Sequence, residues 1–249
     1  MDLGLTGKTA IVTGGSKGIG AAIALALARE GCDVAINYRR HDAEANEVVE
    51  AVEKLGRRAL AVKADVASHA DAAAMVRTVV DTLGRLDILV CNAGINWDGP
   101  IWKMTEEQWD TVIATNLKGY FNYNKAAAGV FKDQKSGKIV NISSINGMRG
   151  KFAQTNYAAS KGGEIALTKS LAREMGKFNV NVNAVAPGLV MTEMAAKMPP
   201  EFLKKALDET VLGRAATPEE CADVVVFLCS DRSRHITGEV IKIDGGQYI

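Results

Sequence analysis

The chain has 249 residues, enough for one large α/β domain or two small ones. Its 30 basic and 29 acidic side chains almost cancel, which leaves no basic surplus for nucleic acid and no acidic tail. No apolar run approaches the roughly 18 residues that a membrane span requires, so a membrane protein is not expected.

Short apolar runs alternate with helical stretches along the whole chain. Thr9–Val12 reads as a first buried strand, followed by a small-residue helix from about Gly18 to Glu30. Val34–Asn37 and Ala59–Val62 read as the second and third strands, and Asp87–Val90 as the fourth. Lys138–Ile142, Val180–Val185 and Glu239–Ile243 complete a set of seven. Strands that are apolar throughout and separated by helices indicate a parallel sheet covered on both faces. The expected fold is therefore a single α/β domain over residues 1–249, a doubly wound Rossmann-type sheet with right-handed crossovers. No linker or repeat interrupts it. One irregular stretch, Pro187 to Pro200, follows the sixth strand and carries Met191, Met194 and Met198, within a candidate lid around 188–210. Beyond the carboxyl ends of the strands, where such sheets bind ligands, it reads as a substrate lid or as an ordinary loop and helix.

Met1-Asp2-Leu3-Gly4 runs almost directly into the first strand and leaves no room for a signal peptide. Cys32, Cys91, Cys221 and Cys229 form no Cys-x-x-Cys pair and lie in no metal-ligand spacing with a histidine. A cytoplasmic protein without a metal is expected.

The chemistry-bearing residues sit at the ends of the strands. Gly14, Ser16, Lys17, Gly18, Ile19 and Gly20 lie between the first strand and the first helix. Glycines there let a pyrophosphate approach the backbone, and the helix start offers free N–H groups. The second strand ends in Asn37-Tyr38-Arg39-Arg40, with no acid before Asp42. An acid at that place would bond the ribose and repel a 2′-phosphate; Arg39 and Lys17 would attract one. NADP(H) is therefore favoured, with NAD(H) through Asn37 as the alternative. Asp65-Val66 follows the third strand, where Asp65 would bond the adenine amino group or cap a turn. Asn92-Ala93-Gly94 follows the fourth and permits close approach of a cofactor. Tyr157 and Lys161 are one helical turn apart, so their side chains face the same way. An ammonium beside a phenol favours the phenolate, which would make Tyr157 a proton donor and acceptor near neutral pH.

Thr13-Gly14-x-x-x-Gly18-x-Gly20, Asn92-Ala93-Gly94, Asn116, Ser144, Tyr157-x-x-x-Lys161, Pro187-Gly188 with Thr192, and Asp244-Gly245-Gly246 occur in this order. Together they resemble the classical short-chain dehydrogenase/reductase family, and within it the 3-oxoacyl thioester reductases. The resemblance implies that Ser144 holds the substrate oxygen and that Tyr157 exchanges a proton with it. It implies that Lys161 lowers the Tyr157 pKa and bonds the nicotinamide ribose, and that Asn116 holds a water on the path to Lys161. Pro187, Gly188, Val190 and Thr192 would line the nicotinamide side. A homotetramer is implied, sharing helices near residues 105–128 and 157–176, with Ala158, Ala159, Ala166 and Leu167 at the contact or packed on the protein's own sheet.

The substrate end departs from those reductases. Trp97 stands where they commonly carry Arg, and Phe178 where they often carry a basic residue that helps dock an acyl carrier protein; Lys135 and Lys177 remain nearby. Asn96, Trp97, Ile145, Met148, Gln154 and Met194 are the expected pocket residues. Trp97 and Trp102 read first as core packing, with substrate stacking as the alternative. Arg149 and Lys151 would serve acidic substrates or be solvated charges. Three functions fit: a 3-oxoacyl thioester reductase, a dehydrogenase of a compact apolar secondary alcohol such as a 1-arylethanol, or a dinucleotide-binding regulator without turnover. The intact Ser144, Tyr157 and Lys161 argue against the last. If Arg39 reads a 2′-phosphate, Arg39→Asp should raise the Michaelis constant for NADPH much more than that for NADH. Equal changes in steady-state kinetics would contradict it.

Overall fold

The computed structural model describes residues 2–196 and 198–249, except for the side chain of Met194. That side chain, expected in the pocket, therefore lies outside the described residues. Strand β1 (Thr9–Val12) leads into α1 (Gly18–Arg29), then β2 (Asp33–Tyr38), α2 (Asp42–Lys54), β3 (Ala59–Lys63) and α3 (His69–Leu83). The second half runs β4 (Ile88–Cys91), α4 (Glu106–Val112), α5 (Gly119–Gln134), β5 (Gly137–Ile142), α6 (Asn146–Arg149) and α7 (Thr155–Met175). It finishes with β6 (Val180–Pro187), α8 (Glu193–Ala196), α9 (Pro200–Asp208), α10 (Pro218–Cys229) and β7 (Val240–Ile243).

All strand pairs are parallel, and the sheet order is β3-β2-β1-β4-β5-β6-β7. The seven expected strands are all present. Alternation of side chains along each strand divides the apolar residues between two cores. Ala10, Val12, Val34, Ile36, Ile88, Val90, Val140 and Ile142 pack with α1 and α10. Ile11, Ala35, Leu89, Cys91 and Ile139 face the other way, toward α3, α5 and α7. Because both faces are covered, the central strands contain no solvent-facing position; β1 and β4 are buried at every residue. The four cysteines are buried within this frame and unpaired.

Chain reversal between β1 and β4 opens the crevice. β1 pairs with β2 on one side and β4 on the other, so the connections after these two strands leave toward opposite faces of the sheet. The helix expected across 105–128 is interrupted: Ile113–Lys118 winds as a π-helical turn between α4 and α5. A π turn widens the helix locally and is frequent at functional sites. Here it carries Asn116.

The segment around 188–210 contains two short helices, α8 and α9. Val190 pairs with Ala216 in a parallel bridge, so residues 191–215 form an excursion whose two ends are fastened together.

Phe131 is fully buried on α5, and a methyl added at Gly137 would stand 2.5 Å from its ring. The strand start and the ring are thus in direct contact. Phe131→Ala should lower unfolding free energy by about 3–5 kcal/mol, read as a fall in the urea midpoint at unchanged slope.

Candidate active site

The cofactor end is built by two amides, Asn37 buried and Asn92 half-buried, and a buried threonine. Thr13 Oγ1 accepts hydrogen bonds from the backbone N–H groups of Asn92 at 2.8 Å and Ala93 at 3.0 Å. Asn92 Nδ2 donates back to the carbonyls of Thr13 and Gly14. Asn37 Oδ1 accepts from the Gly14 N–H at 3.3 Å, and its Nδ2 donates to the Ala64 carbonyl at 2.7 Å. Asn37 is buried, so its amide serves the frame instead of a ribose hydroxyl. The partners of its side chain are the glycine turn and the end of β3. Asn92 is occupied in the same way.

The glycine turn fits a dinucleotide pyrophosphate. Gly14 and Gly18 have positive φ, at 62° and 55°, which their neighbours in sequence would adopt only with strain. No side chain caps the start of α1, and its first turn carries no acid. That leaves the helix N-terminus open to an anion. A methyl at Gly20 would meet the Gly14 carbonyl at 2.3 Å and Asn92 Nδ2 at 2.5 Å, so the turn and the helix can close only around glycine. Ser16 and Ile19 flank the turn, and Ile19 also packs on the first core. Thr192 lies across from Gly18, 3.5 Å from where a Cβ would stand.

The cations expected near a 2′-phosphate are paired with acids in this structure. Lys17 Nζ is 2.7 Å from Glu44 and 3.6 Å from Glu193, and the bond to Glu44 leads the influences that raise its pKa. Arg39 is 3.3 Å from Asp65 Oδ2. Asp65 Oδ1 in turn accepts from the Ala67 N–H, so this carboxylate caps a turn and meets Arg39. Tyr38 Oη donates to Asp42. Val66 is buried against Gly119, and its carbonyl accepts from Asn122, which makes it part of the wall and not a surface contact. Sequence inspection passed over Glu44 and Glu193; a pair joining residues 17 and 193 leaves no local pattern.

At the ends of β5, β6 and α7 the remaining site residues converge. Lys161 is buried; its Nζ donates to the Ile142 carbonyl at 2.8 Å and to Glu164 Oε1 and Oε2 at 2.9 and 3.1 Å. It stands 5.7 Å from the centre of the Tyr157 ring and 5.0 Å from that of Tyr120. Gly94 faces both Asn116 and Lys161: a Cβ there would sit 3.4 Å from Asn116 Oδ1 and 3.6 Å from Lys161 Nζ. Asn116 is fully buried, and both ends of its amide are engaged, Oδ1 by the Ile95 N–H and Nδ2 by the Ile95 carbonyl and Ser160 Oγ. Its side chain therefore fixes the loop after β4, a task not anticipated for it.

Burial is the leading influence on Tyr157 and carries its phenol above the ordinary value, against the downward pull of Lys161 and of a hydrogen bond with Ser144. The expected lowering by Lys161 exists but does not win, and the negative charge of Glu164 opposes it. Ser144 Oγ also accepts from the Asn146 N–H at 3.1 Å, which orients the hydroxyl at the start of α6. A methyl at Gly147 would press on the Lys161 backbone at 2.5 Å, so α6 and α7 touch at a glycine.

On the far side, Gly188 donates to the Ile243 carbonyl, and a Cβ there would meet Gln247 and Asp244 under 3 Å. Asp244 accepts from the N–H groups of Gly246 and Tyr248, which folds the terminal glycine pair into a turn beneath Pro187-Gly188. Val190 is buried in its bridge to Ala216, and Thr192 Oγ1 accepts from Ala195, capping α8.

The expected pocket residues divide. Gln154 is buried, with its amide shared between Asn146 and Asp98, and Ile145 is also buried. These two support the wall. Asn96 bonds Asp98 at the loop surface. Trp97 is 42 % exposed and Trp102 71 %, which overturns core packing as their role. Trp102 instead meets Phe152, itself 77 % exposed, at 6.3 Å between ring centres. Met148 is exposed as well. Arg149 is neither free nor solvated: it bonds Asn146, the Gln247 carbonyl and Glu209.

Known proteins resemble this chain over almost its whole length. Residues 14–247 match a family model described as enoyl-(acyl carrier protein) reductase. The chain is 43 % identical to the 3-oxoacyl-[acyl-carrier-protein] reductase FabG of Staphylococcus aureus, over 97 % of this chain and 98 % of that protein. It is 42 % identical to an uncharacterised oxidoreductase of Mycobacterium bovis, over 98 % of each. A solved structure of a candidate short-chain alcohol dehydrogenase from Sinorhizobium meliloti 1021 superposes with a TM-score of 0.92 at 38 % identity, covering 97 % of this chain and 96 % of that one.

Closing of the turn around Gly20 makes a strong demand. Gly20→Ala should weaken NADPH binding on the order of tenfold or more, about 1.4 kcal/mol, in a fluorescence titration; an unchanged dissociation constant would mean the turn does not hold the cofactor.

Proposed function

This chain belongs to the short-chain dehydrogenase/reductase family, an NAD(P)-dependent oxidoreductase family, and from that premise we propose that it reduces 3-oxoacyl thioesters. NADP(H) is the favoured cofactor. The observation that carries the chemistry is the convergence of Ser144, Tyr157 and Lys161 beside the glycine turn. The thioester substrate rests on the near full-length likeness to 3-oxoacyl-[acyl-carrier-protein] reductases.

The residues would hold the dinucleotide as a strip along the strand ends. Gly14, Ser16, Gly18, Ile19 and Gly20 take the pyrophosphate. Arg39 and Lys17 exchange their carboxylate partners for a 2′-phosphate, a planar fork and a point charge respectively. Asn92, Ala93 and Gly94 give a bulk-free floor, and Pro187, Gly188, Val190 and Thr192 face the nicotinamide. When bound, the nicotinamide supplies the hydride.

The chain supplies the proton and the polarisation. Ser144 Oγ, aligned by the Asn146 N–H, donates to the ketone oxygen and localises it beside Tyr157. Tyr157, a phenol, is protonated at neutral pH, and burial raises it further, which suits a general acid in reduction. Its O–H donates to the same oxygen as negative charge develops there. The Lys161 ammonium then steadies the phenolate left behind. In the reverse direction the phenolate takes the proton from the alcohol. Asn116, clamped on Ile95, keeps the strand-four loop and Gly94 in place next to Lys161.

The thioester would be carried on coenzyme A or on an acyl carrier protein. Lys132 and Lys177 stand over the Phe178 ring at 5.8 and 5.1 Å, which gives an exposed cationic rim for an acidic carrier although residue 178 itself is not basic. A homotetramer is part of the proposal: Ala159 and Ala166 lie exposed along α7, where small residues permit close helix packing. A second substrate class, a compact aryl ketone or its alcohol, is favoured by one observation, the exposed aromatic trio Trp97, Trp102 and Phe152.

Initial rates with acetoacetyl-coenzyme A and with 4-hydroxyacetophenone separate the two. Faster NADPH-linked reduction of the thioester supports the proposal; preference for the aryl ketone would replace it. Tyr157→Phe should bind NADPH normally yet lose turnover by roughly 10²–10⁴-fold. Retained turnover would remove Tyr157 from the reaction.

A further inference from the structure

Glu164 is fully buried on α7, one turn beyond Lys161, and no part of the reaction described above uses it. Its two carboxylate oxygens take two of the three Lys161 N–H donors, and the Ile142 carbonyl takes the third. Tyr120 Oη stands further off, at 3.5 Å from the same nitrogen. The ammonium thus has its whole donor set committed to the protein interior. A Lys161 that also bonds a ribose hydroxyl must give up one of these partners.

Stability does not account for the carboxylate. A buried ion pair costs desolvation that its attraction hardly repays, and an apolar residue of similar volume commonly serves a core as well or better. Burial dominates the local effect here: it pushes the Glu164 carboxyl up to about 8, against the pull of Lys161. Titratable groups that face the pair come from three elements. Tyr157 shares α7, Tyr120 comes from α5 and Cys91 from β4. Burial drives the Tyr120 phenol and the Cys91 thiol well above their ordinary values, so both are neutral at working pH. In the alkaline range where Tyr157 titrates, Glu164 is ionised, and it acts on the phenol together with Lys161 and, more weakly, Asp98 from the loop after β4. Lys161 favours the phenolate, whereas Glu164 and Asp98 disfavour it.

We propose that Glu164 is a positioning residue for the reaction: its carboxylate holds the Lys161 ammonium against β5 and offsets the charge that Lys161 presents to Tyr157. The ion pair tempers the acid strength of Tyr157. It also sets how readily Lys161 turns toward the cofactor. This inference rests on Tyr157 being the proton donor, as argued above. The sign follows from the geometry. Protonating or neutralising Glu164 leaves the Lys161 charge unopposed, so Tyr157 ionises at lower pH. Ionising Glu164 does the reverse.

The test uses the whole protein and needs no substrate. Phenolate absorbance is titrated against pH in wild type, Glu164→Gln and Glu164→Leu, with Tyr157→Phe identifying the Tyr157 component and thermal melting checking that each variant folds. In both Glu164 variants the Tyr157 titration should move down by roughly 1 pH unit, the size expected when an opposing charge within a few ångströms is removed. Glu164→Asp, which keeps the charge, should return most of that shift. The alkaline limb of kcat/KM for ketone reduction should move with the phenol. A Tyr157 titration that stays in place or rises in folded variants overturns the proposal, as does failure of both Gln and Leu variants to fold, which would make Glu164 a structural requirement. Neither result touches the role of Tyr157; an active Tyr157→Phe enzyme would.

Discussion

A set of buried and half-buried polar contacts ties together the carboxyl ends of β1, β2, β3 and β4, and the site hangs from it. Thr13, Asn37 and Asn92 bond backbone groups on neighbouring strands just where the connections diverge. Burying amides in this way is favourable only when each finds partners, so the contacts tolerate little displacement. The glycine turn inherits its shape from them. Without Asn37 and Asn92, Gly14 would have no reason to stay where an incoming pyrophosphate needs its backbone.

The same logic recurs one strand further on. Asn116 sits in a π turn and grips both backbone groups of Ile95, while Ser160 on α7 takes its remaining proton-donating bond. A regular α-helix would present residue 116 at a different angle. The distortion of the helix and the placement of the loop are therefore one feature, and it also brings Gly94 against Lys161. Across the sheet, glycine contacts do what amides do here: Gly147 against the Lys161 backbone, and Gly188 against the Asp244 turn.

Much of this was legible in the chain itself. Parallel strands buried on both faces leave continuous apolar runs, and glycine turns leave spacing, so all seven strands and the ligand-facing edge could be read directly. What escaped depends on contacts between residues far apart in sequence. Glu164 follows two glycines on a helix with many charges, and nothing local distinguishes it from a solvated one. Glu193 meets Lys17 only because the chain after β6 returns over the glycine turn. At Asn37 the sequence identifies an amide but not the neighbours it satisfies, the glycine turn and the end of β3. Trp97 and Trp102 pose a related difficulty: large apolar side chains are usually interior, and exposed ones reveal themselves only in three dimensions. The two helices inside 191–215 were hidden by Pro199-Pro200, where the second proline begins a helix instead of preventing one.

The bridge between Val190 and Ala216 has a consequence for how such a protein can diversify. Everything from 191 to 215 departs and rejoins at adjacent backbone positions, outside the strand pairing. Lengthening it costs the frame almost nothing; doubling a closed loop adds only about 0.6 kcal/mol of chain entropy. The segment is joined to the sheet through this bridge and touches the rest of the chain through a few side chains and one backbone bond, among them Glu193 to Lys17 and Glu209 to Arg149. Changes beyond its first residues, past Thr192 and Glu193, can alter what the site admits without touching the strands or the proton-transfer residues beneath.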